Sequence, residues 1–566
     1  MALRADTKTA GGGDAYRYDE KSDFRGGLNL RADQFNIAHN ESPALLNVEV
    51  DPRGGVRRRD AVAKVNATAL TNEIISLMTH YEAGTNQVLA AALDPATTQS
   101  QVFYNADATG DFTGPIQVGA DVVNFDTAQP PRHVTFNNYT YMVNGQMLHN
   151  TAVTTSAALR WDGATGTALV PDLDGTAGHF PCARYTTAWA EHVWVAYTLE
   201  GVDAHKNRVR YSAVNNAETW TATDYIDIDI GEDGDHITAI IPDADRLLVF
   251  KQNSIYAIYG FGRESWEVRN ITRTAGCREG TQPVAATTGV FFWYAEDGVY
   301  IVNYDDVAWV FERIRPAMTY AVGQPALSLD TPPSLMWFDE RLWVSVDYQS
   351  DDNISGSSQN NRRNVFVWDP SLGPTGAWVR HDINARSLLG YRPSGDTHLG
   401  IAVTSNITTV TAFDRISKLD QNYDYDDYVG AVNEIDSFYH TGWFVGNRPT
   451  FPKRWGKTRT VVLSDNNCVI VMWVYKDYDP STALVGYSKT LTGLGTPALW
   501  DAATSEWDDS EWQPEGTSDR YAFGRWPTIG TAQAISLRFS VTPTPSTRGK
   551  WGVTSVIGMY RTRRLR

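Results

Sequence analysis

Short runs of alternating apolar and polar residues, each bounded by Gly, Asp, Asn or Pro, dominate the chain from about residue 70 onward. A period of two is the signature of half-buried strands. No long stretch carries apolar residues at i, i+3, i+4 and i+7, so few helices are expected. The clearest unit is a meander of four predicted strands: His236–Ile241, Arg246–Lys251, Ser254–Tyr259 and Trp266–Thr272. A second follows at Pro283–Ala286, Val290–Tyr294, Gly298–Val302 and Ala308–Arg313. A third runs through Ser334–Phe338, Arg341–Val346, Asn364–Trp368 and Ala377–Asp382, interrupted by the polar segment Ser350–Arg363. Weaker units begin near Ile74, His133, Arg184 and Ser387. The starts recur about every 46–59 residues, within or slightly above the period of β-propeller blades, and there are about seven of them.

Beyond Ser417 the pattern changes. An acidic, Tyr-rich stretch, Asp420–Tyr428, leads into longer predicted strands at Glu434–Trp443, Thr458–Leu463, Val469–Tyr475, Ala534–Thr542 and Val553–Tyr560. The opposite end, Phe24–Asp60, alternates apolar residues with Gly-Gly pairs and is too short and irregular to fold alone. It reads as an extended arm lying on another surface. The predicted fold is all-β: about seven propeller blades (66–420), a C-terminal β-sandwich-like platform domain (421–566) and an N-terminal arm (1–65) packing on it.

Composition narrows the class. The chain has 566 residues, 42% of them hydrophobic and only 20% charged, so it can bury a core and is not a disordered chain. Its longest apolar runs are strand-sized, well short of the ~20 residues of a membrane helix. The polar, Gly-rich start, Met1–Tyr18, has no apolar segment of signal-peptide length. A formal charge of −17 argues against coating nucleic acid, which needs Lys and Arg on phosphates. Cys182, Cys277 and Cys468 are too few and too scattered for a disulfide framework or a metal knuckle, and read as buried thiols.

Candidate chemistry is sparse. There is no HExxH and no GxSxG. Gly456-Lys457-Thr458 lacks the first glycine of a phosphate loop, since Phe451 stands there, and it leads into a strand. The acids Asp227, Asp229, Glu232, Asp233 and Asp235 miss the calcium-loop register, because Gly231 comes two residues after Asp229; a tight turn fits them better. Asp424, Asp426 and Asp427 offer paired carboxylates for glycoside cleavage, but also read as a charged strand edge. Trp500, Trp507 and Trp512 suit packing or subunit contact, or sugar stacking if exposed.

Four segments resemble the β-propeller tail proteins of tailed bacteriophages, the nozzle or tail hub of short-tailed phages and propeller-type minor tail proteins. The first contains Gly26, Gly27, Leu28, Asn29, Asn47, Val48, Gly54, Gly55, Val56, Arg57 and Arg59. The others are Gly234–Gly260, Ala275–Val302 and Tyr439–Val462. The Gly-rich lead Met1–Asp14 departs from the pattern. The resemblance implies a structural virion protein, assembled in the host cytoplasm, that forms a homohexameric ring in the tail. A portal-adaptor protein would sit above it, and tail fibre, spike or needle proteins beside or below. DNA would pass through without specific binding, and no stable membrane insertion is implied. An acidic lining would suit that passage, because Lys and Arg would hold the phosphates. No catalytic residue, cofactor or metal is expected. Arg57, Arg58, Arg59, Lys453, Arg454, Trp500 and Trp507 are the candidate partner contacts. The alternatives are a tail-tip adhesin touching glycans through Trp500, Trp507 or Ser350–Arg363 and, less favoured, a propeller glycosidase or lyase.

Overall fold

The structure is a computed structural model. It describes residues 17–562 except 33–35, 69, 71–72, 83–84, 95–98, 126–129, 146–155, 230–233, 296, 319–326, 329–331, 349–362, 374, 395–397, 405–414, 422–434, 447–448, 465–467, 480–482, 484, 492–519 and 542–550. It is all-β, built from many small antiparallel sheets. Among the described residues the helical pieces are the 3-10 turn Glu312–Ile314 and the single turn Arg315–Met318, so none is long and apolar enough to cross a membrane.

The chain packs as two units. One comprises Met1–Arg59, Ser371–Val379 and Glu434–Arg566; the other comprises Asp60–Pro370 and Arg380–Asn433. These divisions differ from the expected ones after residues 65 and 420. The N-terminal one moves because Ala61–Lys64 is a strand of the second unit, paired antiparallel to Arg415–Gln421.

In the second unit, seven sheets of four or five strands follow one another along the chain among the described residues, with a two-stranded sheet, Gln117–Val118 and Asp121–Val122, between the first two. Their first strands are Ile74–Glu82, Arg132–Phe136, Cys182–Trp189, Ile237–Asp243, Val284–Ala286, Ser334–Phe338 (preceded in its sheet by the two-residue Leu327–Ser328) and Ala385–Tyr391. Each of these strands touches the next, and Ala385–Tyr391 returns to Ile74–Glu82. The seventh sheet takes three strands from its own region (Ala385–Tyr391, Leu399–Thr404 and Arg415–Gln421) and its outer strand, Ala61–Lys64, from the start of the unit.

The second strands show why the sheets stack. Val193–Ala196, Leu247–Phe250 and Val290–Trp293 are buried at every position rather than at alternate ones. Continuous burial means that both faces of the sheet are covered. The apolar clusters lie accordingly between neighbouring sheets. Met78, Leu89 and Ala91 meet Met142, Leu159 and Trp161. Tyr185, Trp194 and Val209 meet Ile240, Leu247 and Val249. Ile74, Leu77 and Val88 meet Tyr391, Ile401 and Val403, joining the seventh sheet to the first. Tight hairpins join the strands; Asn137–Asn138 and Asp339–Glu340 hold both turn residues at positive φ, as two-residue turns between twisted strands require.

One element departs from its predicted form. The strand expected at Ala308–Arg313 ends at Trp309, and a helical turn takes over. Phe311, Ile314 and Met318 are buried there with helical spacing, and Pro316 sits in the first turn, where its missing N–H costs nothing.

The first unit contains two main sheets. One orders Arg520–Ala532, Lys453–Ser464, Trp551–Thr562, Val56–Arg58 and Val48–Val50, with Arg17–Lys21 also paired to Trp551–Thr562. The other orders Ala44–Leu46, Ser437–His440, Ile535–Val541, Cys468–Lys476 and Val485–Leu491. The N-terminal segment therefore contributes strands to both. Trp551 ties the sheets together, its Nε1 donating to Ser437 Oγ at 2.7 Å.

Candidate functional site

The predicted contact residues separate by exposure. In Val56–Arg58 the two-residue period turns Arg57 outward, where it pairs with Glu49 at 3.3 Å, and turns Val56 and Arg58 inward. Arg58 and Arg59 are each only 2% exposed, and Arg59 Nε donates to Asn47 Oδ1 at 2.9 Å. Lys453 is wholly buried, its Nζ donating to the carbonyls of Phe451 and Gln533 at 3.0 and 2.8 Å. Arg58, Arg59 and Lys453 are thus corrected from partner contacts to internal supports of their own unit. Burial lowers the pKa of Lys453, the cost of taking an ammonium out of water.

Arg454, Lys457 and Arg459 are exposed, while Lys453, Trp455, Thr458 and Thr460 among them are buried. No ion pair reaches these three cations among the described residues. Trp500, Trp507 and Trp512 lie outside the described residues, as do residues 350–362, Glu232, Asp233, Asp424, Asp426 and Asp427.

The remaining acids of the Asp227–Asp235 stretch have separate partners. Asp227 takes a two-pronged bond from Arg208 at 2.8 and 2.9 Å. Asp229 accepts from Tyr256 at 2.5 Å and Arg273 at 3.1 Å. Asp235 accepts from Asn253 N and Ser254 Oγ. An acidic group that the sequence did not single out, Asp172, Asp174 and His179, brings its ligand atoms within 4.8 Å of one another, but both carboxylates are exposed.

The second unit contains a cavity of about 280 Å³ on its first strands. It is lined from the first sheet (Ile75–Leu77), the second (Arg132, His133), the fifth (Val284, Ala285), the sixth (Ser334–Trp337) and the seventh (Arg386–Gly390). Arg132 reaches across it: Nη1 donates to Gln282 Oε1 at 3.0 Å and Nη2 to the Gly280 carbonyl at 2.8 Å. Burial pulls the Arg132 pKa below its usual value. His133 Nε2 accepts the Thr79 backbone N–H at 3.1 Å, and burial beside Arg132 brings its pKa to about 4, so the ring is neutral at pH 7. Desolvation also lowers His398. Arg386 pairs with Glu73. Among the described residues no Asp or Glu lines the cavity.

The segment Cys277–Gln282 forms one wall of this region and bonds to several sheets. Cys277 N donates to the Lys251 carbonyl, and Arg278 N to that of Trp293. Glu279 accepts Arg184 at 2.8 Å and lies 3.4 Å from His236. Arg184 also stacks on Tyr197, 4.0 Å from the ring centre. Burial pushes the Cys277 thiol up to about 11 and Cys182 likewise, so neither is a thiolate nucleophile at neutral pH. None of this was legible in sequence, because the groups come from segments scattered between Ile75 and His398 whose convergence depends on the order of the sheets.

No family model matches the chain, and no curated protein matches it in sequence. Among solved structures it is similar to BBS1N in complex with ARL6DN, at 10% identity over 64% of this chain and 99% of that one, with a TM-score of 0.34. YCF48 bound to D1 peptide gives 8% identity, 67% and 98% coverage and 0.34. Trypanosoma rangeli sialidase gives 9% identity, 93% and 95% coverage and 0.27. Likenesses this low carry neither a function nor a substrate to this chain.

Proposed function

We propose that the chain is a structural protein of a phage virion, a subunit of the tail nozzle or hub ring through which DNA leaves the particle. In this reading the second unit is a seven-bladed β-propeller and the first is the platform that builds the ring. The observation that carries it is the role of the N-terminal motif. Its residues are those an arm needs in order to be woven into a platform. Gly27 adopts φ +63, and a Cβ there would lie 2.6 Å from the Trp378 carbonyl oxygen. Asn29 bonds Glu41 at 2.7 Å, and its Oδ1 accepts the N–H groups of Arg31 and Ala32. Asn47 holds the Asp436 carbonyl with Nδ2 and Arg59 with Oδ1. Gly54 closes a turn at φ +96, its N–H bonded to the Asp51 carbonyl. The motif thus encodes attachment of the arm, which is the part the resemblance assigns to the platform.

The charge of −17 suits a conduit that must not retain DNA. The proposed role calls for no catalytic step; among the described residues no acid pair of the kind a two-carboxylate glycosidase uses lines the cavity. Arg454, Lys457 and Arg459 are the contacts proposed for an acidic surface on a neighbouring subunit or the adaptor.

The test is electron microscopy of the purified protein and of virions, with the wild type and a variant carrying Arg454→Glu, Lys457→Glu and Arg459→Glu. A six-fold ring at the distal tail, lost in a variant that still folds, is expected. A single peripheral knob or a three-fold assembly would replace this reading with the minor-tail adhesin, and release of oligosaccharide from host envelopes with the enzyme.

A further inference from the structure

The cavity poses an electrostatic problem that the described residues do not solve. Arg132 lines it as a half-buried guanidinium whose two protein acceptors, the Gly280 carbonyl and the Gln282 side-chain amide, are both neutral. A guanidinium has five N–H donors, so three remain for another partner. Taking a guanidinium even partly out of water without an opposite charge costs free energy. The other titratable groups of the wall do not supply one. His133 is neutral at pH 7, held by Thr79; His398 packs edge-on against Phe338; and Arg386 has its countercharge in Glu73. Glu279, beyond the wall, is committed to Arg184. Among the described residues, the lining therefore carries one positive charge with no acidic partner.

The wall is polar and apolar in equal measure, and its apolar part includes Leu77, Val284, Leu335 and Leu388. Gln282 and Ala285 are exposed at its edge, which gives access from solvent. A volume of about 280 Å³ lies near the lower end of small-molecule pockets, too small for an oligosaccharide or a nucleic-acid strand. We propose that this cavity binds a small organic monocarboxylate, its carboxylate paired with Arg132 and its apolar body held among these side chains. A planar carboxylate matches the fork of donors on a guanidinium. A phosphate dianion is disfavoured, because among the described lining residues only Arg132 offers a positive charge without an acidic partner. The site is independent of the ring-forming role proposed above.

Benzoate, its neutral counterpart benzamide, and inorganic phosphate are the probes, titrated into the full-length protein at pH 7 by calorimetry. Saturable one-to-one binding of benzoate is expected, with benzamide and phosphate each at least tenfold weaker. Arg132→Gln should weaken benzoate at least tenfold, and Arg132→Lys by less. Arg132 also bonds to the wall, so Ala285→Phe serves as a second variant that fills the edge of the cavity without touching the charge; it should abolish binding while leaving the circular dichroism spectrum unchanged. Equal affinity for benzoate and benzamide, tighter binding of phosphate, no saturation by benzoate at millimolar concentration, or unchanged benzoate binding in Ala285→Phe would each overturn the proposal.

Discussion

Replacing Glu200 with glutamine measures how much of the third sheet's stability is electrostatic. Glu200 ends the strand His192–Glu200 and faces two arginines of the next strand. Arg210 donates to both its oxygens, at 2.7 and 2.9 Å, and Arg208 to one at 3.1 Å. Thr198 adds a hydroxyl at 2.9 Å. Arg210 is 2% exposed, so its charge has little water to fall back on. Desolvation by itself would raise the Glu200 pKa, but the bonds from Arg210 and Thr198 and the charges of Arg210 and Arg208 outweigh it and hold the value at about 2. A drop from the usual 4.5 to about 2 is worth roughly 3.4 kcal/mol at ~1.36 kcal/mol per pH unit. The carboxylate is partly open to water, and screening reduces the expectation to about 2 kcal/mol. Because the folded pKa is the lower one, this stability is fully present above pH 4.5 and is lost as pH falls toward 2. Glu200→Gln should therefore lose about 2–4 kcal/mol at pH 7, the upper end reflecting the orphaned arginine. Its deficit against the wild type should shrink by more than half by about pH 3. Urea unfolding followed by tryptophan fluorescence at the two pH values reads both quantities. A deficit that is the same at both, or below about 0.5 kcal/mol at pH 7, would refute the electrostatic account.

Two further substitutions address the first unit. Gly27→Ala forces a side chain into left-handed backbone and against the Trp378 carbonyl, and should lower stability in urea by about 2–4 kcal/mol; a loss under about 0.5 kcal/mol would show that the arm is not held at this point. Lys21 is buried and its pKa is depressed to about 8, mainly by desolvation, so the charged form penalises folding below that pH and stability should rise between pH 8 and 10.5. Lys21→Met should match or exceed the wild type at pH 7 and flatten that rise; a clear destabilisation would mean that the bond to the His39 carbonyl and the contact with Phe444 outweigh the desolvation.

Alternation and turn residues made most of the second unit's elements legible. The expected unit starts near 74, 133, 184, 236, 283, 334 and 387 lie within two residues of the first strands of the seven sheets. Local signals suffice there because each sheet is a meander whose strands pair with their sequence neighbours. The strand Ala61–Lys64 was absorbed into the arm, since four residues carry little periodicity and their partner, Arg415–Gln421, is remote. In the first unit, the triplet Arg57–Arg59 read as a surface patch, although strand alternation turns Arg58 inward and a bond to Asn47 holds Arg59. Lys453 misled in the same way: the charge pattern reports composition, while burial depends on pairing with the later strands Arg520–Ala532 and Trp551–Thr562. The setting of Arg132 left no trace, because the cavity that it lines is assembled from five sheets and, among the described residues, no acid lines it.

The strand Ala61–Lys64 also constrains the time course of synthesis. Its hydrogen-bonding partner is translated roughly 350 residues later. At about 5–20 residues per second, a ribosome needs roughly 20–70 s to deliver it. Arg17–Lys21 waits longer still, for Trp551–Thr562. Throughout that interval the nascent chain presents strand edges that have no partner yet, the kind of edge that pairs with other chains. A truncated product ending anywhere before Arg415 would retain an unpaired edge permanently. Premature termination is therefore expected to yield aggregates rather than a smaller soluble version of the second unit, and chaperone demand should be greatest just before the last sheet is complete.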